Sequence, residues 1–402
     1  MQRRIAIDGI AHGGDGVGRV DGKVVFVPGV LPGEIVEARI VTEKRRWARA
    51  EPVSIVEPAS DRRRPPCGVF GRCGGCDLQH ASYRLQLTLK RDVVRGQLEH
   101  LGGLDRPVVH PTVASPQPLR YRNRMDFTVL GGRPALHRRR SEDLIAVDPC
   151  LLLEDAPAQV FGRLGDLRGV ERLTVRGSSR TGDSLVGVVG EVPGHADRWS
   201  ASVVALHPGG RARAVLGPPA IEEVVAGERF RISAAAFFQV NTAAADLLVD
   251  LVRAAADVGP RDVVLDGYAG GGLFTRTVAV SGAAAIAVES DPAALADLRH
   301  NVADLASVTI VPGRFEVVTA ELERRWDVAV VDPPRAGLGT AGIAAVLAGK
   351  PRVIAYVSCD PAALARDVAE LAQRGFELEW AAPIDLFPQT HHVETVARLV
   401  ST

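Results

Sequence analysis

No stretch of this 402-residue sequence approaches the roughly 20 uninterrupted apolar residues of a membrane-spanning helix. The opening Met1-Gln2-Arg3-Arg4-Ile5-Ala6-Ile7-Asp8 has no long apolar signal core either, so the expectation is a cytoplasmic protein with no membrane partner. Cysteine is scarce. There are five, an odd number, which argues against a secreted disulfide framework and for metal or catalytic chemistry in a reducing compartment. Lysine is scarcer still, with four residues beside 44 arginines, so any basic surface is an arginine surface. Net charge is zero, which weighs against a nucleic-acid partner until the charge is divided along the chain. Residues 1–140 hold 25 Lys+Arg against 14 Asp+Glu, a surplus of 11 that the remainder cancels. The arginines cluster at 44–49, 62–64, 120–124 and 137–140, with Trp47 and Tyr121 among them. Such patches suit a phosphate backbone, with aromatics to stack on bases; the alternative is a solvated arginine-rich face.

What is present is apolar material for two or three cores, 46% of the chain. Residues 1–60 read as short β segments (3–7, 24–27, 35–42 and 48–56) between Gly-rich turns, which suggests a five-stranded OB-like barrel. A Pro/Gly-rich cysteine loop follows, then helical periodicity over 82–101 that stops at Gly102-Gly103. The stretches 120–150 and 173–231 alternate as strands, with turns at Gly131-Gly132, 178–183 and 207–210. From Ser233 apolar strands alternate with Ala/Leu-rich helices, the pattern of a mainly parallel sheet with helices on both faces and ligands at the carboxyl ends of its strands. The expected fold class is α/β, with three domains: 1–60 a barrel, 61–232 a mixed and mostly β central domain, and 233–402 a Rossmann-like catalytic domain. No internal repeat or low-complexity tract is present.

The segment from Val263 to Phe274 is strand, acidic residue, glycine loop and helix start. A nicotinamide fold prefers G-x-G-x-x-G after the strand, and no register of Asp266-Gly267-Tyr268-Ala269-Gly270-Gly271-Gly272 supplies it. The match is to a class I S-adenosylmethionine site, where the loop passes beneath a cofactor without phosphate. Glu289, at the end of the next strand, is placed to accept ribose hydroxyls, a role that also serves nicotinamide cofactors. Asp332-Pro333-Pro334-Arg335 follows the fourth strand, facing the substrate side.

The cysteines divide as four and one. Cys67, Cys73 and Cys76 form C-x5-C-x2-C, and Cys150 can supply a fourth sulfur; four thiolates hold an iron-sulfur cluster or a structural zinc. Cys359 stands alone at the end of the fifth strand, with Asp360 as N-cap and Pro361 at the first helical position. The helix N-terminus favours thiolate there, and Asp360 partly opposes it. Glu394 opens the final strand. Taken singly, Cys359 reads equally well as a small buried residue and Glu394 as a surface charge. The chemistry that needs them together is methylation at C5 of a uracil, in which a thiolate adds to C6 and a base later removes the C5 proton.

Motif order over essentially the whole chain resembles the RNA uracil-5 methyltransferase family, in the branch with a TRAM domain and a 4Fe-4S cluster. The likeness rests on the C-x5-C-G-G-C triplet with Cys150, Phe238-Gln239-Val240-Asn241, the glycine loop, Asp332-Pro333-Pro334-Arg335, Ser358-Cys359-Asp360-Pro361 and His392-Val393-Glu394-Thr395. The resemblance implies that Cys67, Cys73, Cys76 and Cys150 ligate the cluster, which serves as a clamp more than a redox centre. It implies that Gln239, Tyr268, Glu289 and Asp332 contact S-adenosylmethionine, with Cys359 the nucleophile and Glu394 the proton acceptor. RNA is the implied partner, 23S rRNA before tRNA, and no obligate protein partner is evident. A more distant alternative is a non-catalytic RNA-binding iron-sulfur protein that keeps the fold. Three positions depart from the family pattern: Gly267 replaces a larger apolar residue, Leu273 an Asn of some relatives, and Arg314 an acidic or amide residue near the adenine.

Overall fold

The computed structural model describes residues 2–207, 212–278 and 281–402. Five strands, β1 (Gln2–Ile10), β2 (Gly16–Val20), β3 (Lys23–Val27), β4 (Ile35–Glu43) and β5 (Trp47–Glu57), close a barrel in the order β1-β2-β3-β5-β4. Its core is Ile5, Ile7, Val25, Val27, Val36, Ala38 and their neighbours, set by the alternation of each strand. The sequence reading found four of these strands. It missed β2, whose Gly-Val-Gly-Arg-Val carries little apolar signal. Gly18 is needed there because a Cβ would fall 2.2 Å from the carbonyl oxygen of Ala6 on β1.

After the cysteine loop, α1 (Tyr83–His100) begins where expected, its first turn capped by Ser82, whose Oγ accepts from Leu85 N at 3.2 Å. It packs on the catalytic half: Lys90 is buried, and its ammonium donates to Asp385 Oδ1 at 2.5 Å and to the Phe387 carbonyl at 3.0 Å. The central sheet has the order β12-β11-β10-β9-β6-β7-β8. It comprises β6 (Arg124–Leu130), β7 (Arg133–His137), β8 (Leu144–Ala146), β9 (Val170–Gly177), β10 (Ser184–Gly190), β11 (Ser202–Leu206) and β12 (Ala212–Leu216), with α2 (Asp155–Phe161) beside it. Gly131 and Gly132, both at positive φ, turn β6 into β7 as the sequence indicated. The turn at 178–183 is also present. The turn placed at 207–210 lies, beyond His207, outside the described residues. A separate hairpin, β13 (Ala220–Val225) and β14 (Glu228–Ser233), shares one hydrophobic cluster with α3 (Thr242–Ala256) and the catalytic sheet.

That catalytic sheet runs β17-β16-β15-β18-β19-β21-β20, with only β21 antiparallel to its neighbours. Its strands are β15 (Val263–Gly267), β16 (Ala284–Glu289), β17 (Val308–Pro312), β18 (Val328–Val331), β19 (Val353–Ser358), β20 (Phe376–Ile384) and β21 (Glu394–Ser401). Five helices, α4 (Leu273–Val278), α5 (Pro292–Asn301), α6 (Phe315–Val318), α7 (Gly339–Ala348) and α8 (Pro361–Ala372), connect them. β18, β19 and their neighbours are buried on both faces, which explains their unbroken Val/Ala/Ile runs. This is the class I methyltransferase fold. No helix among the described residues is long and apolar enough to cross a membrane.

Candidate active site

Gly267 of β15 is in register with Val288 of β16 and with Val331 of β18. The next residue of each strand is Tyr268, Glu289 and Asp332, so three expected site residues leave adjacent strands at one level of the carboxyl edge. Tyr268 adopts φ +63°, and the chain then turns under the glycine loop. Glu289 is fixed against that loop: Gly270 N–H donates to its Oε2 at 2.7 Å, while Ser290 and Asp291 N–H donate to its Oε1 at 2.6 and 2.7 Å. Asp266 is buried below, accepting from Thr275 Oγ1 at 2.5 Å, and burial pushes its carboxyl up to about 7 against that hydrogen bond.

The departures from the family pattern acquire reasons. A Cβ on Gly267 would sit 2.5 Å from the Phe315 ring, so Phe315 fills the space of the usual larger side chain. Phe315 also stacks on Tyr268 at 4.7 Å, and Tyr268 Oη donates to Glu316 Oε1 at 2.8 Å. Arg314 points to solvent, its guanidinium 3.8 Å from Glu316, so the carboxylate at this rim comes from two residues further on. Leu273 is buried in the shared apolar cluster.

Gln239 lies on the segment before α3. Asn241 caps that helix, accepting from Ala244 N at 3.1 Å, while its amide donates to Ser115 Oγ and the Leu386 carbonyl. The Gln239 carbonyl accepts from Asn123 Nδ2 at 2.9 Å, and Phe238 packs where it faces Gly271 of the glycine loop. Phe237 next to it is 64% exposed, an aromatic the sequence reading did not single out.

Cys359 and Glu394 meet because β21 runs antiparallel to β19. Ser358 pairs with Thr395, so the next opposed positions are Cys359 and Glu394, although 35 residues separate them in sequence. Glu394 is buried, and its Oε1 has no hydrogen-bond partner among the described residues. Burial, and then the nearby Asp332, raise its carboxyl well above the usual range, with Arg335 opposing. Burial and then Asp266 push Asp332 up to about 7. Cys359 is half-buried, and its thiol is pushed up to about 11, first by burial, then by Glu394 and Asp332. The sequence pointed to a helix N-terminus favouring thiolate; against it stand desolvation, the largest cause, and then the carboxylates of Glu394 and Asp332 from neighbouring strands. All of Cys359, Glu394, Asp332 and Arg335 thus act on one another at the same sheet edge.

Cys67, Cys73, Cys76 and Cys150 line one cavity of about 510 Å³, which His391 and His392 also line. Among the described residues no three His, Cys, Asp or Glu side chains gather closely enough to hold a single metal ion. All four thiols are free and line the cavity together. Four cysteines around one cavity are a donor set whose chemistry suits either an iron-sulfur cluster or a structural zinc. The loop is tied to the catalytic half by Asp77, whose Oδ2 accepts from His391 Nδ1 at 2.6 Å, and by the Asp77 and Leu78 N–H groups on the Gln389 carbonyl. No local sequence signal marks these long-range partners.

Comparison with known proteins agrees with this architecture. Residues 2–53 match the TRAM domain family, and residues 221–401 match the tRNA (Uracil-5-)-methyltransferase family. An RNA methyltransferase of Gloeobacter violaceus is 34% identical, covering 98% of this chain and 95% of its own length. One from Streptomyces coelicolor is also 34% identical, over 98% and 92%. The fold is similar along its whole length to the crystal structure of Pyrococcus abyssi tRNA (uracil-54, C5)-methyltransferase in complex with S-adenosyl-L-homocysteine. That match has a TM-score of 0.78 and 24% identity, covering 99% of this chain and 100% of that one. The chain belongs to the TRAM-bearing RNA uracil-5 methyltransferase family and is an S-adenosylmethionine-dependent enzyme of that class.

Proposed function

We propose that this enzyme methylates C5 of a uridine in structured RNA through a covalent bond between Cys359 and C6. The observation that carries the reading is the opposition of Cys359 and Glu394 across β19 and β21, beside Asp332 and the glycine loop. Gln239, Tyr268, Glu289 and Asp332 bind and orient S-adenosylmethionine, which supplies a methyl group from a sulfonium. Cys359 loses its proton to solvent and bonds to C6 as thiolate, and the C5–C6 π pair shifts to C5, making that carbon nucleophilic. After C5 takes the methyl, Glu394 accepts the C5 proton. The released pair restores the double bond as the C6–S bond breaks and returns the sulfur as thiolate. A raised carboxyl suits Glu394 to this, being a stronger base than an exposed glutamate, with a free Oε1 to receive the proton.

Within this reading the protein works in the cytoplasm with three functional regions: a barrel over 1–60, a central RNA-binding domain over 61–232 and a catalytic domain over 233–402. The arginine-rich first part meets the RNA, and the target base is flipped into the pocket. Cys67, Cys73, Cys76 and Cys150 hold a 4Fe-4S cluster that braces the loop carrying Asp77. Anaerobically purified protein is expected to contain about four irons per chain with matching sulfide, by the one-iron-per-thiolate rule. Zinc without iron would establish the zinc site instead.

The barrel with four cysteines favours 23S rRNA as the substrate. A second reading, tRNA, is favoured by the likeness to the Pyrococcus abyssi enzyme, whose name specifies uracil 54 of tRNA. Mass-spectrometric mapping of 5-methyluridine in a deletion strain, with tritium release from RNA labelled at uridine C5, separates them. Loss of one rRNA site is expected; loss confined to tRNA establishes the second reading, and no release from any RNA sinks the enzymatic proposal.

A further inference from the structure

The turn joining β1 to β2 is far from the catalytic residues in sequence but not in space. His12 Nε2 donates to Asp360 Oδ2 at 3.3 Å across 348 residues, reaching the residue next to Cys359. Asp360 is committed on its other oxygen: Oδ1 accepts from Ala363 N at 2.8 Å and caps α8. Ser358 Oγ closes the same turn, donating to the Asp360 carbonyl at 3.1 Å and accepting from its N–H at 3.2 Å. The conformation that aims Cys359 is therefore tied on one flank to α8 and on the other to the barrel.

The turn is itself held at both ends. Asp15, buried, accepts from Arg140 at 2.6 Å and lies 3.6 Å from Arg139 of the arginine-rich segment after β7. Between them Gly14, at φ +81°, presses so near His391 that a Cβ would fall 3.0 Å from the His391 Cβ, three residues before Glu394. A glycine is required there on both counts.

We propose that the β1–β2 turn is a wall of the catalytic pocket and that His12 is a positioning residue for Cys359, acting through Asp360. The assignment rests on the reading of Cys359 as nucleophile. The barrel is then more than an RNA arm: RNA gripped by it is held at a fixed distance from the sulfur, because the gripping element also orients the nucleophile turn.

The test uses the full-length protein and steady-state tritium release. His12→Ala is expected to lower kcat about tenfold, since small misplacements of a reacting group cost one to two orders of magnitude, with KM for RNA and the melting temperature unchanged. His12→Gln, whose amide N–H can reach Asp360, is expected to recover most of the loss. In an Asp360→Ser background, where the serine keeps a capping oxygen but is too short to meet His12, His12→Ala should add less than a further twofold effect, as coupled residues require. A rise in KM with kcat unchanged overturns the proposal, as does an equal loss in His12→Ala and His12→Gln, or an undiminished effect in the Asp360→Ser background. Turnover that survives Cys359→Ala would instead refute the nucleophile reading, and the positioning role with it.

Discussion

Cys359→Ala is expected to abolish turnover, by a factor of about 10⁵ or more, as removal of a covalent nucleophile does. The side chain is half-buried and small, so the folded protein and its RNA affinity should survive; stability should change by about 1 kcal/mol or less. Tritium release below detection with unaltered RNA binding is the supporting result, and release near the original rate would eliminate the covalent route. The resting state of the sulfur can be read in the same protein. Burial, Glu394 and Asp332 hold the thiol at about 11, so alkylation by iodoacetamide should accelerate about tenfold per pH unit through neutrality and level off only near pH 11. The sign follows from the charges: each carboxylate disfavours a second negative charge beside it, so thiolate is depleted below that pH. A plateau near pH 7 would mean that the helix N-terminus dominates after all.

Glu394→Gln should stall the enzyme late instead of early. The amide cannot take up the C5 proton, so addition and methyl transfer proceed while elimination does not, and turnover falls about 10³-fold, within the range of a lost general base. A protein–RNA adduct carrying the transferred methyl should accumulate and withstand denaturing electrophoresis. Free 5-methyluridine at the normal rate would assign the proton to another group. Neutralising this position also removes the second-largest influence on Cys359, so its alkylation profile should move to lower pH.

The catalytic half was legible because its central strands β18 and β19 are buried on both faces and followed by turns with their own chemistry. Val328–Val331 was located to the residue, and Pro292 and Pro361 marked helix starts that Asp291 and Asp360 cap. The barrel was partly legible: β2 pairs two glycines closely against β1 and so gives no apolar alternation. Arg314 and Gly267 looked like anomalies only because Phe315 and Glu316, which compensate for them, act through space. The thiol's environment was only partly legible for a similar reason. Local sequence shows the helix N-terminus and Asp360, but Glu394 and Asp332 arrive through strand register, which sequence spacing does not encode.

β21 follows β20 in the chain yet is inserted between β19 and β20. Without β21 in that slot, β19 has no partner on this side and Cys359 does not face Glu394. One inserted strand thus assembles the proposed nucleophile and proton acceptor, so the pairing of β21 decides whether the two share a site.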